Sequence, residues 1–266
     1  MASYRLEGIV LRVHELGEAD RLVTLYTPAR GKCRLVAKGA RRLRSRLAAG
    51  IQPLTHSRLL CWRGRSLDGI SQVEVVDSFR PLRESLEALA LATYACELVD
   101  ALTAAEDANP RLYGLLLALL RTLADEAQAR RRTGELAAGG ERLLWAFQWK
   151  ALALTGYRPA LDGCAVCGDP AALAAAEVIV SLAEGGVVCP LHVGAGALLR
   201  VPVAVVGTIR GLLAAPLRAA LNLRLSASEA GALAGLSRDF LNYVLERELH
   251  SEGFLELLRT QLRPAP

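Results

Sequence analysis

"GKCRLVAKGARRLRSR", residues 31–46, decides how the front of this chain is read. Within KCRLVAK (32–38) a period of two places Lys32, Arg34, Val36 and Lys38 on one face and Cys33, Leu35 and Ala37 on the other. That is the alternation of a half-buried strand, apolar row inward and basic row outward. Gly39 then permits a turn, and Arg41, Arg42, Arg44 and Arg46 set four arginines within six residues. The run holds seven positive charges and no acid. A basic strand face continuing into a basic loop is a positive surface, and its natural partner is a phosphate backbone, whose neutralisation releases condensed counterions.

Working outward, four more segments read as strands: YRLEGIVLRVHEL (4–16), RLVTLYT (21–27), LTHSRLLCW (54–62) and ISQVEVVDSF (70–79). Breaks rich in glycine or polar residues separate them: GEAD, PARG, GARRLRSRLAAGIQP and RGRSLDG. Five short strands with hairpin-like links predict a small closed barrel. Charge follows the same division, because residues 1–80 carry 15 Lys and Arg against 7 acids while the remainder carries 17 against 20. A net of +8 in front and −3 behind, within an overall +5, assigns a polyanion partner to the front. Tyr4, Tyr26, Trp62 and Phe79 lie outside the basic run, so phosphate contact is expected ahead of base stacking, with Tyr26 and Trp62 in the barrel core or rim. Glu15, Glu18 and Asp20 read as a polar strand connection around Gly17, not as acid–base machinery.

After Pro81 the period becomes helical. Leu82, Leu86, Leu89, Thr93, Cys96 and Leu102 predict one apolar stripe, with Cys96 in the core. Asn109 before Pro110 reads as a helix N-cap leading Leu112, Leu115, Leu116, Leu119 and Leu123. A further helix carries Leu144, Trp145, Phe147 and Trp149 toward a stop at Gly156, and Ser226 with Glu229 matches a capping box. The longest apolar run, LLLALL (115–120), ends at Arg121, far short of the roughly 20 residues that a membrane span requires. Charges at Arg5 and Glu7 precede any apolar run of signal length, so a cytoplasmic protein with reduced cysteines is expected.

Between the helices lie DGCAVCGDP and VVCPLH, with 21 residues between Cys167 and Cys189. Cys164 and Cys167 are separated by two residues, as are Cys189 and His192, and each pair suits one side of a tetrahedral ion. Gly163, Gly168, Pro170 and Pro190 permit the tight turns, and AEVIVSLAEGGVV reads as a hairpin returning the second pair to the first. Three thiolates and one imidazole leave no open position for water, so the site predicts one structural Zn2+. His14, His56 and His250 have no partner pattern. There is no phosphate-binding GxxxxGK[ST] loop, no HExxH and no GxSxG, and the cysteine pairs lack the HxE of a nucleotide deaminase. Binding is therefore favoured over catalysis. A zinc-containing RNA-binding adaptor and a metal-dependent nucleic-acid-processing enzyme are the alternatives, the second needing an open metal position or another acidic cluster.

The order of these parts resembles the RecO family of bacterial recombination mediators. The likeness is carried by GIVLRVHELGEADRLVTLYTPARGKCRLVAKGARR, by THSRLLCWRGRSLDGISQVEVVDSF, by LRESLEALALATYACELVDAL, and by the cysteine pair set late in the helices. It is strongest over residues 7–103 and 142–192. The resemblance implies an α+β multidomain protein: a five-stranded OB-fold over 1–80, then a helical domain over 81–266 with a zinc-binding insertion at about 160–197. It implies a non-enzymatic protein that binds single- and double-stranded DNA, anneals complementary strands and assists RecA loading on strands coated by single-strand-binding protein, together with RecR. The DNA-binding residues would be Lys32, Arg34, Lys38, Arg41, Arg42, Arg44 and Arg46, and the locale the cytoplasm at the nucleoid. Where the family often has a cysteine this chain has His192, which preserves ligand capacity.

Overall fold

The computed structural model describes residues 3–133, 139–194 and 196–262. Packing divides the chain into two units, Met1–Ala137 with His250–Pro266, and Ala138–Leu249.

The first unit begins with five strands, β1 (Ser3–Leu16), β2 (Asp20–Thr27), β3 (Gly31–Ala37), β4 (His56–Trp62) and β5 (Asp68–Asp77), closed in the order β1-β2-β3-β5-β4. The long β1 serves two neighbours: Ser3 to Ile9 pair with Trp62 to His56, and Ile9 to Leu16 pair with Tyr26 to Asp20. A register shift between Val10 and Arg12 lets the strand bend as it changes partner. Closure comes from a short parallel contact in which Leu35 faces Asp68 and Val36 faces Gly69. This is the OB-fold expected for the front of the chain.

Alternation fills the barrel as it does in any half-buried strand. Leu6, Val10, Val23, Leu25, Leu35, Leu59, Cys61 and Ile70 form its core, joined by Ala40 and Ile51 from the β3–β4 connection. That connection therefore has a buried seam as well as a basic one. Gly31 makes the turn into β3 with φ +62°, and a Cβ there would stand 1.9 Å from the Asp107 carbonyl oxygen, so glycine is required by both conformation and space.

Helices cover the outer side of β1 and β2. They are α2 (Leu86–Leu102) on β1 and α3 (Pro110–Thr133) on β2; α1 (Arg80–Arg83) packs on both of these helices, and α7 (His250–Leu262) packs on α2 in the same unit. Tyr26 is fully buried beneath them with its ring 6.5 Å from that of Tyr113 on α3. His56, also buried, stands 3.0 Å through Nε2 from both the Tyr113 hydroxyl and the Glu7 carboxylate. Burial is the main reason its pKa lies below the ordinary histidine value, against the raising effect of Glu7. Asn109 caps α3 as its sequence position predicts, its Oδ1 accepting from the Leu112 amide at 3.0 Å.

One helical expectation is corrected. The segment after Pro81 is not continuous, because Ser85 accepts from the Ala88 amide and starts α2 as a separate helix. The buried face of α2 is not the expected stripe either, since Leu86 is 58% exposed and Thr93 lies at the surface. Ala88, Leu91, Tyr94, Ala95, Leu98 and Val99 are buried instead. Leu91 and Leu98, with Tyr94 and Ala95 between them, set the buried face and small alanines widen it, so a stripe drawn through Leu86, Leu89 and Leu102 is out of phase. Cys96 does lie in the core, where burial pushes its thiol up to about 12.

The second unit contains α4 (Gly139–Leu154), a three-stranded sheet of order β7-β6-β8, α5 (Val203–Ala214) and α6 (Ala227–Leu245). The strands are β6 (Glu177–Ser181), β7 (Gly186–Val188) and β8 (Leu198–Pro202). Trp149 of α4 is buried, donates to Ser237 Oγ at 2.9 Å and lies 5.1 Å from the Phe240 ring. The Ser226–Glu229 capping box opens α6, with Glu229 N–H donating to Ser226 Oγ at 3.2 Å and Ser226 N–H to Glu229 at 2.8 Å. Among the described residues no helix is long and apolar enough to cross a membrane.

Candidate nucleic-acid interface and metal centre

The seven basic residues of the opening run divide into three kinds. Lys32 turns onto α2, its Nζ 3.0 Å from Asp100 Oδ1 and 2.6 Å from the Asp100 carbonyl oxygen. Its side chain is only 16% exposed, and Arg12 closes on the other Asp100 oxygen at 3.1 Å. Lys32 thus ties the barrel to a helix, since two cations hold one half-buried carboxylate there.

Arg41 anchors the loop. Its guanidinium meets Glu15 at 3.1 Å and the Gly17 carbonyl at 2.9 Å, and its amide donates to the Ala19 carbonyl at 3.0 Å. Asp20 accepts from the Gly39 amide at 2.8 Å. Two members of the acidic cluster in HELGEADR thus hold the base of the basic loop, a structural role in keeping with a polar strand connection.

Arg34, Lys38, Arg42, Arg44 and Arg46 are exposed, and none has an ion-pair partner among the described residues. Lys38 reaches over the Trp62 ring at 5.2 Å from its centroid, a cation–π contact that leaves the ammonium at the surface. Trp62 is held against β5 by Gly69, where a Cβ would fall 2.3 Å from the indole. Sequence reading passes over a second basic group on the β4–β5 loop. Arg63 and Arg65 are exposed, and Arg63 and Arg30 lie over the Tyr4 ring at 5.1 and 5.4 Å. The Tyr4 hydroxyl donates to the Asp68 carboxylate, and burial, then that bond, raises its pKa to about 12. RGRSLDG shows both arginines in a break. The parallel β3–β5 contact, pairing Val36 with Gly69, brings that loop beside the opening run.

The metal-ligand pairs converge as their spacing predicts. The ligand atoms of Cys164, Cys167, Cys189 and His192 all lie within 4.8 Å of one another. Cys167 and Cys189 sulfurs are 4.0 Å apart, Cys164 Sγ is 3.8 Å from His192 Nδ1, and Cys189 Sγ is 3.1 Å from the same nitrogen. Tetrahedral zinc with bonds near 2.3 Å separates its sulfurs by about 3.8 Å, so the four side chains enclose a space of the right size for such an ion.

The backbone explains the convergence. The Gly168 amide donates to the Cys164 carbonyl at 2.8 Å, and the Cys164 amide donates to the Asp169 carbonyl at 3.0 Å, forming one knuckle. The β6–β7 hairpin, with Ile179 opposite Val188, returns Cys189 to it, and the Ala165 amide bonds the Val187 carbonyl at 2.7 Å. The Cys164 sulfur accepts from the Cys189 amide at 3.3 Å. Backbone amides of Cys167 and Cys189 lower the Cys164 thiol to about 6, whereas at Cys167 the lowering bond from the Asp169 backbone is outweighed by burial and the neighbouring thiols, which raise it. The cluster can hold a metal ion through four protein ligands.

Comparison with known proteins agrees with this architecture. The family profile described as Recombination protein O N terminal matches residues 1–79, and that described as Recombination protein O C terminal matches residues 83–253. The chain is 42% identical over 265 residues to the DNA repair protein RecO of Symbiobacterium thermophilum, covering 98% of this chain and 99% of that protein. It is 39% identical over 261 residues to the protein of the same name from Roseiflexus, covering 98% and 87% respectively. Against that of Pelotomaculum thermopropionicum it is 38% identical over 259 residues, covering 96% and 94%. With both halves of the family matched over barrel, helices and cysteine module alike, the chain belongs to the RecO family of DNA repair and recombination proteins.

Proposed function

We propose that this chain is a non-enzymatic recombination mediator that holds single- and double-stranded DNA by its phosphates, anneals complementary strands and assists RecA loading. The observation that carries the reading is the exposed group Arg34, Lys38, Arg42, Arg44 and Arg46 on an OB-fold barrel, none with an ion-pair partner among the described residues. Exposed cations that no carboxylate neutralises among the described residues are available to phosphates, and a barrel that grips backbones leaves base edges free to pair. Arg63 and Arg65 extend the same surface. Lys32 and Arg41 serve it by holding the loop and strand in place. RecR and single-strand-binding protein are the protein partners of this reading, and the cytoplasm, at the nucleoid, is its place of action. Family membership supports both.

The cysteine module holds one structural Zn2+ in this reading. Cys164, Cys167, Cys189 and His192 supply all four ligands, so the ion fixes the two knuckles and offers no site for substrate. The chain's work is therefore to bind and align strands rather than to cut or join them.

Annealing of fluorescent complementary oligonucleotides, with and without ATP and at several salt concentrations, tests the proposal. Acceleration that needs no nucleotide and weakens with salt is expected. Strict dependence on ATP, strand cleavage with divalent ions, or preference for RNA over DNA would each contradict it.

A further inference from the structure

Leu43 is the most exposed large apolar residue among those described, at 107% of its reference accessibility. Single surface leucines are common, and exposure alone assigns nothing. The setting of this one is different. It stands in Arg41-Arg42-Leu43-Arg44-Ser45-Arg46, where Arg41, Arg42, Arg44 and Arg46 are all exposed.

The backbone holds the side chain out. The Ser45 amide donates to the Arg42 carbonyl at 2.9 Å, closing a turn whose first central residue is Leu43. The preceding turn is closed by the Arg42 amide on the Gly39 carbonyl at 3.1 Å, and the Leu47 amide bonds Ser45 Oγ at 3.4 Å on the far side. Below, Arg41 is fixed by Glu15 and Gly17, and Ala40 and Ile51 are sunk in the barrel core. Leu43 is thus projected from an anchored double turn and touches no core that would explain an apolar side chain.

From this arrangement we infer that Leu43 is an apolar wedge that enters the base stack of bound DNA, with Arg42 and Arg44 on the phosphates to either side. Leucine is among the side chains that proteins insert between base steps, where burial of the aliphatic group offsets the unstacking. Flanking cations suit that role, because they bring the strand onto the wedge and hold it there. The proposal rests on the DNA-binding reading and adds a base-level contact to a surface otherwise described through phosphates alone. An anionic membrane could also receive a leucine among arginines; the unstacked base chemistry distinguishes the two.

The test uses the whole zinc-loaded chain and oligonucleotides carrying 2-aminopurine, whose fluorescence rises when it leaves the stack. At saturating wild-type protein a several-fold rise is expected at one or two positions of the bound site. Leu43→Ala should abolish that rise while DNA affinity falls by less than about tenfold and the salt slope stays the same, since burial and unstacking disappear together. Leu43→Met should retain the rise. Arg42→Ala with Arg44→Ala should weaken affinity and flatten the salt slope, yet keep the rise once binding is saturated. Full exposure of Leu43 means that none of these variants should alter the melting temperature. Wild-type protein that binds DNA without unstacking any base, or a Leu43→Ala protein that unstacks as well as wild type, overturns the wedge and leaves phosphate binding intact. Failure of wild type to bind DNA at all overturns the underlying reading instead.

Discussion

The basic loop of the barrel and the cysteine module are both short clusters of chemically potent side chains, and they dispose of that potency in opposite ways. In the module, Cys164 and Cys189 are buried at 3% and 6% exposure and the four ligand atoms face one another. In the loop, Arg42, Arg44 and Arg46 face solvent with no partner among the described residues. A cluster closed on itself stabilises its surroundings, whereas a cluster with unmet valence is available for another molecule. Lys32 shows that the difference is not one of residue type. It belongs to the basic run in sequence, but it is closed on Asp100 and belongs to the fold.

Removing the metal ligands should have the largest effect and sets the closed half of the comparison. Cys164→Ser or chelation should destabilise the Ala138–Leu249 unit by several kcal/mol, on the order of the folding free energy that structural zinc supplies. DNA affinity of the protein that remains folded should change by less than about threefold, because no ligand lies on the barrel. Metal analysis should give one zinc per chain, and melting followed by near-ultraviolet circular dichroism reads the destabilisation. A large fall in DNA affinity with unchanged melting would break the comparison.

Next in size is Lys32→Ala, which sharpens it. Asp100 is only 11% exposed and would keep Arg12 alone, so a decrease of about 1–3 kcal/mol in stability is expected. Lys32→Ala should leave the salt slope of DNA binding unchanged, unlike Arg42→Ala. Chemical denaturation and a binding titration on the same preparations separate the two residues.

The smallest effect concerns His56. Its folded pKa lies below its unfolded value because it is buried, so the unfolded chain takes up the proton first as pH falls. The stability contributed by the neutral ring is therefore complete above about pH 6.5, the unfolded value, and declines below it toward the lower folded pKa. Over that window the folded ring keeps its neutral contact with Glu7 and Tyr113 while the unfolded chain gains the proton. Melting temperatures at pH 7 and pH 5.5 should differ more for wild type than for His56→Gln. An equal drop in both would remove His56 as the cause.

Much of this is legible in residue order. Strict alternation in KCRLVAK, glycine- and proline-bearing breaks, and the doubled two-residue spacing of Cys164–Cys167 and Cys189–His192 are local signals, and each reflects a local geometric requirement. What escapes is decided by contacts distant in sequence. The salt link of Lys32 depends on a helix residue 68 positions further along, and the approach of Arg63 and Arg65 depends on a parallel strand contact that no hairpin pattern predicts. The phase of α2 is set by Leu91, Tyr94 and Leu98 with alanines beside them, and a stripe drawn through Leu86, Leu89 and Leu102 falls out of step with it because alanine contributes little to a hydrophobic pattern.

The most direct test of the central claim is a salt titration of DNA binding, on single- and double-stranded oligonucleotides, comparing wild type with Lys38, Arg42, Arg44 and Arg46 all changed to alanine. If those exposed cations neutralise phosphates, the variant binds far more weakly to every sequence, its salt slope is shallower by roughly 0.7 to 0.9 for each phosphate left without its cation, and its melting temperature matches wild type. Unchanged affinity and slope in a folded variant would mean that the loop is only a solvated face and that the chain meets DNA elsewhere.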